Sequence, residues 1–210
     1  MHKNGIRMSY TMKKKIAITG GIGSGKSEAI KIIKELGFSV FSCDEIYKEV
    51  ILSKEYVQEI EKNFPTCVKS GKIDRTELAN IVFNQPEKRD LLNRIAHPLI
   101  MKELLSKMQQ IPDDFIFAEV PLLFEGGYES LFDYIFIITR SKKERIQSVT
   151  KRDNLSKEEI LKRMDSQFNY NEENLKEVTK RAGVQIISNA EDLVSFKEKI
   201  TKEISKLKQL

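Results

Sequence analysis

One segment of the sequence, from Gly20 to Ser27, combines glycines, a lysine and a serine at a spacing that binds phosphate. It reads Gly-Gly-Ile-Gly-Ser-Gly-Lys-Ser and fits the pattern G-x-x-x-x-G-K-[S/T] at every fixed position. Glycines let the backbone turn its N–H groups towards phosphate oxygens, a path that Cβ atoms would obstruct. Lys26 would place a compact cation on the β- and γ-phosphates, and the Ser27 hydroxyl would ligate Mg²⁺. The nucleotide-binding set predicted here comprises Gly21, Gly23, Ser24, Gly25, Lys26, Ser27 and the adjoining Glu28.

The elements on either side of this segment are those that a phosphate-binding loop requires. An apolar run at residues 15–19 predicts a strand that enters it. Apolar residues spaced three and four apart predict a helix over 26–36, which Gly37 ends. The amino end of that helix directs its positive dipole at the bound anion. A glycine-rich turn without a ligand is the alternative, but the complete pattern between a strand and a helix favours phosphate binding.

Four further apolar runs predict strands at 38–41, 115–118, 134–139 and 184–187. Continuous apolar strands are typical of parallel sheets that are buried on both faces, and the helical patterns between them indicate α/β architecture. We therefore predict a three-layer α/β core of the P-loop NTPase type with a five-stranded parallel sheet. Its last element is an amphipathic helix over 190–210.

Two long stretches break this alternation of strands and helices. Residues of about 45–113 show helical patterns and no buried strand, and we interpret them as a helical insert that binds an acceptor. Residues of about 141–180 form a charged helical stretch, which we interpret as a lid. The chain is then a single domain over 13–210, preceded by a flexible lead of residues 1–12, in which Met12 offers an alternative start.

The composition limits the partners of the protein. Of 210 residues, 36 are Lys or Arg and 31 are Asp or Glu, and the net charge of +5 suits a polyanion such as a nucleotide. The charges are mixed along the chain without a long basic block, which argues against nucleic acid. The apolar runs are too short to span a bilayer. Cys43 and Cys67 form neither a metal nor a disulfide pattern, so we expect a cytoplasmic monomer with both thiols free.

The phosphate-binding loop alone does not separate kinases from other nucleotide-binding enzymes. The N-K-x-D motif with which GTPases read the base is absent. The third predicted strand ends with one acid, Glu119, instead of the acidic pair that is usual in motor and remodelling ATPases. A chain of this size, with a helical insert and an arginine-containing stretch after the fourth strand, is organised like a small-molecule kinase.

Further motifs make the sequence similar to the dephospho-coenzyme A kinase family over residues of about 13–189. Beyond the P-loop, the matching blocks follow in the family's order: Val-Phe-Ser-Cys-Asp at 40–44, G-x-x-D-R-x-x-L-x-x-x-V-F at 71–83, L-N-x-I-x-H-P-x-I at 92–100, P-L-L-F-E at 121–125, and the lid parts R-D and R-[IM]-x-x-Q at 152–153 and 163–167. The resemblance implies a helical acceptor domain, a mobile lid, and ATP with Mg²⁺. It also implies transfer of the γ-phosphoryl group to the ribose 3′-hydroxyl of dephospho-CoA.

Three residues of these blocks could serve the acceptor end of the reaction. Asp44 ends the second predicted strand, at the sheet edge where α/β proteins bind ligands. Its carboxylate would accept the proton of the attacking hydroxyl, and the resemblance supports this catalytic role; the alternative is an N-cap of the next helix. The resemblance also implies that Asp74 and Arg75 bind the acceptor. The guanidinium of Arg75 suits phosphate groups, whereas Asp74 has the same N-cap alternative.

His97, which precedes Pro98, and Glu125 are the other acceptor-binding candidates that the resemblance implies. A histidine in an apolar helix is usually packed and hydrogen-bonded, which gives His97 a structural alternative. Glu125 either orients a substrate or lid group, or caps the turn at Gly126 and Gly127.

Arg145, Arg152 and Arg163 are the lid candidates, with Arg152 as a catalytic residue. Their positive charge would stabilise the phosphates during transfer; the alternative is a solvated helix face. In the lid helix, Arg145 and Ser148 stand where the family usually has Gln and Arg. Because residues three apart share a helix face, we expect Arg145 to substitute for the arginine missing at position 148.

Three other positions also depart from the family's usual pattern. Ser42 and Cys43 precede Asp44 where Asp-Ala-Asp is common, so only the last acid is retained. Glu28 stands where threonine is common, and Glu119 replaces a frequent aspartate. These changes affect individual contacts and leave the implied reaction in place.

Two other functions fit the same sequence features. A nucleoside or nucleoside-monophosphate kinase on this scaffold would phosphorylate nucleosides or nucleotides and not dephospho-CoA. A non-enzymatic, nucleotide-dependent switch that binds RNA through its lysines would show slow hydrolysis and a strongly salt-dependent affinity for RNA.

Overall fold

The computed structural model describes residues 13–190 and 192–209, so the predicted lead lies outside the described residues. The strands are β1 (Lys14–Thr19), β2 (Val40–Ser42), β3 (Val68–Lys69), β4 (Lys72–Ile73), β5 (Phe115–Glu119), β6 (Tyr134–Thr139) and β7 (Val184–Ser188). The helices are α1 (Lys26–Glu35), α2 (Cys43–Val50), α3 (Lys54–Asn63), α4 (Arg75–Asn84), α5 (Pro86–Gln110), α6 (Lys142–Asp153), α7 (Lys157–Asp165), α8 (Glu172–Val178) and α9 (Leu193–Leu207).

Five of these strands form one parallel sheet in the order β2-β5-β1-β6-β7, which confirms the predicted sheet. The central strand, β1, pairs with β5 through Ile18 and Glu119 and with β6 through Thr19 and Ile137. On the other side of β5, Ser42 pairs with Glu119. Because parallel strands end at the same edge, the loops that follow β1, β2 and β5 are neighbours, as ligand sites in such sheets require.

Helices cover both faces of the sheet and create two hydrophobic cores. Ile16 and Ile18 are fully buried against α1 and α9 on one face, while Ala17 belongs to a second core with α2 and α5 on the other. Burying each such isoleucine stabilises the fold by roughly 1.5–3 kcal/mol. The alternation along β1 therefore fixes the predicted three-layer arrangement, with β1 held rigidly at its centre.

Helix α1 ends as its sequence predicts. Gly37 has φ = +87°, its N–H bonds to the carbonyl of Lys34, and the N–H of Phe38 bonds to the carbonyl of Ile33. These two bonds satisfy the last carbonyls of the helix in a Schellman arrangement, which needs a left-handed residue and so favours glycine. The chain can then turn directly into β2.

The stretch over 45–113 contains α3, α4 and α5 and most of α2, but it is not purely helical. β3 and β4 form a small antiparallel hairpin in it, joined by Ser70 (φ = 51°) and Gly71 (φ = 71°). Two central residues with positive φ form the turn that best matches the twist of a hairpin. The hairpin is an addition to the predicted helical insert, and neither of its strands is buried, so the expectation of an insert without a buried strand is not contradicted.

Some predicted boundaries also shift. β2 occupies Val40–Ser42 and not 38–41, because the end of α1 uses the N–H of Phe38. Helix α9 begins at Leu193 and not at 190, because the Asp192 side chain accepts the N–H groups of Val194 and Ser195 as an N-cap. Within residues 13–190 and 192–209, no helix combines the length and apolar character needed to cross a membrane.

Candidate active site

The loop between β1 and α1 has the backbone conformation that its glycines predict. Gly23 has φ = +77° and Gly25 has φ = +103°, values that residues with a Cβ atom rarely adopt. A Cβ atom at Gly25 would also collide with the side chain of Asn189, whose Nδ2 donates to the Ser24 carbonyl at 3.0 Å. The residue after β7 thus helps to hold the loop, and glycine is required at position 25 for both reasons.

Lys26 begins α1 and folds back onto the loop. Its Nζ donates to the Gly20 carbonyl at 2.8 Å and lies 3.4 Å from the Gly21 carbonyl. Burial lowers the pKa of this ammonium group, and the nearby charge of Glu119 opposes that effect. The ammonium group is therefore already positioned on the loop, with the carboxylates of Glu119 and Asp44 near enough to favour its charged form.

Two hydroxyl groups of the loop differ in environment. Ser27, in the first turn of α1, is exposed, so its hydroxyl is available to a ligand. Ser24 is buried, and its Oγ has no hydrogen-bond partner among the described residues. A buried hydroxyl without a partner is destabilising, which is more often tolerated at functional sites than elsewhere.

Both backbone groups of Ile22, at the tip of the loop, are held by the stretch predicted as a lid. Arg145 on α6 donates from Nε to the Ile22 carbonyl at 2.8 Å, and the Ile22 N–H donates to Oε1 of Gln167 at 2.8 Å. The Arg145 guanidinium lies so close to Gly21 that a Cβ atom there would meet its Nη2. Burial lowers the pKa of Arg145, which remains a cation beside the loop.

The segment that follows α7 rests on the same edge of the sheet. The Tyr170 hydroxyl lies 3.3 Å from Oγ1 of the buried Thr19, and the Phe168 N–H donates to Oε1 of Glu125 at 2.6 Å. The ring of Phe168 packs between two other aromatic rings. Its centroid lies 4.5 Å from that of Phe124 and 5.0 Å from that of Tyr170. Glu125 thus contacts the stretch predicted as a lid, which is one of the two roles predicted for it.

Asp44 lies in the first turn of α2 and is exposed. The N-cap of α2 is Ser42, so the N-cap alternative for Asp44 is wrong. Ser42 Oγ lies 3.5 Å from Oε2 of Glu119, and burial together with the charge of Asp44 raises the pKa of Glu119, whereas Lys26 lowers it. Asp44, Glu119 and Lys26 therefore form one group of interacting charges at the ends of β2, β5 and β1.

A cavity of about 240 Å³, called the reactive cavity below, opens beside Asp44. His97 on α5 and Tyr128 are in its wall, with Cys43 and mostly apolar side chains. Burial lowers the pKa of His97, so its imidazole is neutral over a wider pH range than that of a free histidine, and the charge of Glu125 partly opposes this effect. The structure thus brings Asp44 and His97, which lie in different sequence blocks, to one cavity.

Asp74 is the N-cap of α4, as its alternative interpretation stated. Its Oδ1 accepts the Glu77 N–H at 3.1 Å, and its Oδ2 accepts from Lys69 Nζ at 3.0 Å. These two bonds lower the pKa of Asp74 and occupy both oxygens. Arg75, the first residue of α4, is exposed and lines a second cavity.

The remaining candidates make no hydrogen bond to the loop among the contacts of the described residues, although Arg152 is near enough to lower the pKa of Lys26. Arg152 is exposed at the end of α6 and pairs with Asp153, through Nε to Oδ1 at 2.7 Å and Nη2 to Oδ2 at 2.7 Å. Arg163 on α7 is exposed, and its positive charge, like that of Arg152, lowers the pKa of Asp153. Glu28 lies 4.0 Å from Lys31 on the next turn of α1. These three side chains stay candidates for nucleotide contacts.

Sequence reasoning missed three contacts around the loop. Gln167 and Asn189 lie within or at the end of the matching blocks, but no role followed from their positions. No local pattern indicates that Tyr170 contacts Thr19, because these residues are 151 positions apart. Only the folded chain brings these side chains to the loop.

The parallel sheet, the loop with its folded-back lysine and the carboxylate at the end of β2 together define a kinase of the P-loop class. A family model described as CoaE, dephospho-CoA kinase, matches residues 14–193. The chain therefore belongs to the dephospho-CoA kinase family.

Curated relatives and solved structures agree with this assignment. The chain is 33% identical over 201 residues to the dephospho-CoA kinase of Carboxydothermus hydrogenoformans, which covers 92% of this chain and 94% of the relative. The chain is also 34% identical over 191 residues to the dephospho-CoA kinase of Fusobacterium nucleatum, an alignment that covers 90% of this chain and 97% of the relative. A crystal structure from Thermus thermophilus superposes with a TM-score of 0.75 at 30% identity, over 92% of this chain and 97% of the other. The Campylobacter jejuni dephospho-CoA kinase superposes with a TM-score of 0.59 at 31% identity, over 93% and 97%.

Proposed function

We propose that this protein transfers the γ-phosphoryl group of ATP to the ribose 3′-hydroxyl of dephospho-CoA, giving CoA and ADP, the last step of CoA biosynthesis. The observation that carries the proposal is the position of Asp44. It lies in the wall of the reactive cavity and interacts electrostatically with Lys26 of the phosphate-binding loop. An acceptor in the cavity and a donor on the loop would thus meet at one carboxylate.

In this mechanism, Asp44 accepts the proton of the 3′-hydroxyl as its oxygen attacks the γ-phosphorus in line with the leaving ADP. Lys26 exchanges its bonds to the Gly20 and Gly21 carbonyls for the β- and γ-phosphates, which brings a charge that is already in place to the oxygens that gain charge. His97 and Glu125 would help to fix the acceptor, and Asp74 would fix the start of the helix that presents Arg75.

Mg²⁺ fits this site as a companion of the nucleotide. Residues 13–190 and 192–209 contain no group of three or more His, Cys, Asp or Glu side chains placed to hold a metal ion alone. Mg²⁺ commonly uses one or two protein ligands together with substrate phosphates and water. The exposed Ser27 hydroxyl would be one ligand, and the Asp44 and Glu119 carboxylates lie near enough to Lys26 to act on its charge. The ion would neutralise charge on the transferred phosphoryl group.

The stretch over 141–180 would act as a lid over the donor. Arg145 already contacts the loop, and Arg152 is near enough to Lys26 to lower the pKa of its ammonium group, while Arg152 and Arg163 both lie beside Asp153. Closure would bring their charges to the transferred group and keep water from accepting it. Glu28 would lie beside the nucleotide at the start of α1.

The same proposal covers location and partners. Both cysteines are free thiols, which suits the reducing cytoplasm. The mixed surface charges suit small anionic substrates better than nucleic acid, and we expect a monomer. Family membership does not favour a nucleoside kinase or an RNA-binding switch.

The direct test is an acceptor comparison. With MgATP and dephospho-CoA, the purified protein is expected to form CoA and ADP in equal amounts, with adenosine as a poor acceptor. Mass spectrometry identifies the CoA, and a coupled assay measures the ADP. Failure to form CoA by protein that binds ATP would overturn the proposal, and efficient turnover of nucleosides would favour the nucleoside kinase.

Replacement of Arg145 tests its position on the loop. Arg145→Ala is expected to lower kcat/KM for ATP by roughly tenfold, because the loop loses the bond to Ile22 and a cation beside Gly21. Adding Ser148→Arg on the same helix face should restore part of the loss if charge is what Arg145 supplies. Lys143→Ala, at an exposed site on α6, is the matched control. An Arg145→Ala enzyme as fast as the parent would leave Arg152 and Arg163 as the lid arginines.

A further inference from the structure

The residues that join α7 to α8, called the 166–171 segment below, contact both the phosphate-binding loop and another loop of the site. Oε1 of Gln167 accepts the Ile22 N–H at the tip of the phosphate-binding loop, at 2.8 Å. The next residue, Phe168, donates its own N–H to Oε1 of Glu125 at 2.6 Å. Because these two residues are consecutive, their Cα atoms stay about 3.8 Å apart, and neither can move far without the other.

Glu125 belongs to a turn over residues 121–128 that also forms part of the reactive cavity. Leu122 and Tyr128 of this turn line the cavity wall. Burial lowers the pKa of His97 in the same wall, and the charge of Glu125 opposes that effect, so the carboxylate is close to the cavity. A ligand in the reactive cavity therefore contacts the turn that holds the 166–171 segment.

The edge of the sheet limits how far the 166–171 segment can move. The Tyr170 hydroxyl lies 3.3 Å from Oγ1 of Thr19, which is fully buried and immediately precedes the phosphate-binding loop. The Tyr170 ring also packs edge to face against the ring of Phe168, with centroids 5.0 Å apart. The segment is thus held beside the loop, and a displacement of the turn at Glu125 reaches the loop tip at Ile22 through only two residues.

We infer that Gln167 and Glu125 are positioning residues through which an acceptor in the reactive cavity raises the affinity of the phosphate-binding loop for ATP. This inference rests on the proposed function. The acceptor contacts the 121–128 turn, Glu125 of that turn holds Phe168, and its neighbour Gln167 holds Ile22 at the tip of the loop. Neither residue needs to touch a reacting atom to have this effect.

The two hydrogen bonds of the 166–171 segment are formed at the same time, so the position of the segment that fits the turn also fits the loop. An acceptor that stabilises the turn in this position therefore stabilises the tip of the loop as well. A loop with a fixed tip binds ATP with a smaller loss of conformational freedom. The donor site is then completed mainly when an acceptor is present, which limits transfer of the phosphoryl group to water.

The experiment measures by calorimetry the Kd of a non-hydrolysable ATP analogue with Mg²⁺, in the absence and in the presence of saturating dephospho-CoA. For the parent, the first Kd is expected to exceed the second by roughly fivefold or more. In Gln167→Ala and in Glu125→Ala this ratio should fall to about one, because the Ile22 N–H or the Phe168 N–H loses its partner. Gln167→Glu keeps an oxygen that accepts the Ile22 N–H, so its ratio should stay parental even though the added charge weakens binding of the analogue.

Gln147→Ala is the matched control, since Gln147 is exposed on α6 in the same stretch over 141–180, and its ratio should equal that of the parent. Thermal unfolding without ligands shows that each variant is folded. A merely structural role for Gln167 and Glu125 would weaken binding of the analogue equally with and without dephospho-CoA. Such an unchanged ratio in both alanine variants, or a ratio of one in the parent, would overturn the inference and leave the proposed function in place. A parent that binds the analogue but not dephospho-CoA would instead overturn the proposed function, and this inference with it.

Discussion

Asp44→Asn is expected to lower kcat by about 10²–10⁴-fold while ATP binding is retained, because the amide keeps the size of the side chain but cannot accept the proton. The residue sits in the first turn of α2, where Ser42 and not Asp44 caps the helix. Loss of its charge removes a weak interaction with the helix dipole, worth about 0.3–1 kcal/mol, together with its electrostatic interactions with Lys26 and Glu119. Rapid-quench kinetics with dephospho-CoA measure kcat, and calorimetry with a non-hydrolysable ATP analogue measures donor binding.

Glu45→Gln provides the matched control for this experiment. Glu45 lies in the same first turn of α2 and is also exposed, so its neutralisation has the same effect on the helix dipole. If the two variants lose stability equally but only Asp44→Asn loses kcat, the carboxylate acts in the chemical step. Equal kcat values for Asp44→Asn and the parent would show that another group accepts the proton, and Glu119 would be the first to examine.

Lys26→Ala is expected to reduce phosphoryl transfer by a factor on the order of 10² or more, because a preorganised cation is lost from the β- and γ-phosphates. In the free protein the same ammonium bonds to the Gly20 and Gly21 carbonyls, so the substitution also removes a contact within the loop. Single-turnover rates separate the chemical step from ATP binding, and thermal unfolding reports the cost of the lost contact.

Lys34→Ala, an exposed substitution two turns along α1, is the control for Lys26→Ala. It removes the same charge from the same helix at a site remote from the loop, and we expect its turnover to equal that of the parent. Near-parental turnover in a folded Lys26→Ala protein would mean that the donor binds elsewhere than on this loop.

Local patterns were sufficient to predict much of the core. The strands of the sheet are largely apolar, with Gln185 in β7 as an exception, and the end of α1 follows from one glycine, Gly37. These features depend on neighbouring residues only. The β3–β4 hairpin was missed although Ser70-Gly71 is a turn signal, because strands of two residues have almost no pattern of their own. The alternative roles of Asp44 and Asp74 were also undecided, since both precede or begin a helix in sequence.

The contacts around the site could not be predicted in the same way. The bonds of Ile22 to Arg145 and Gln167 join residues 123 and 145 positions apart, and they depend on how α6 and α7 pack over the sheet edge. Side-chain partners across the fold are set by tertiary packing, whereas the loop motif is set by the chain itself.

The two bonds on Ile22 have a thermodynamic consequence. They join the loop that would hold ATP to α6 and to the segment that follows α7, both in the stretch that would close over it. A change in the conformation of this stretch would therefore change the free energy of the loop. Coupling of this kind is reciprocal. If bound ATP favours the closed conformation by a given factor in its equilibrium constant, closure must raise the affinity for ATP by the same factor. Substitutions in α6 and α7 that do not contact the nucleotide would then change the dissociation constant of ATP. The size of that change would measure the coupling free energy between the loop and the stretch over 141–180.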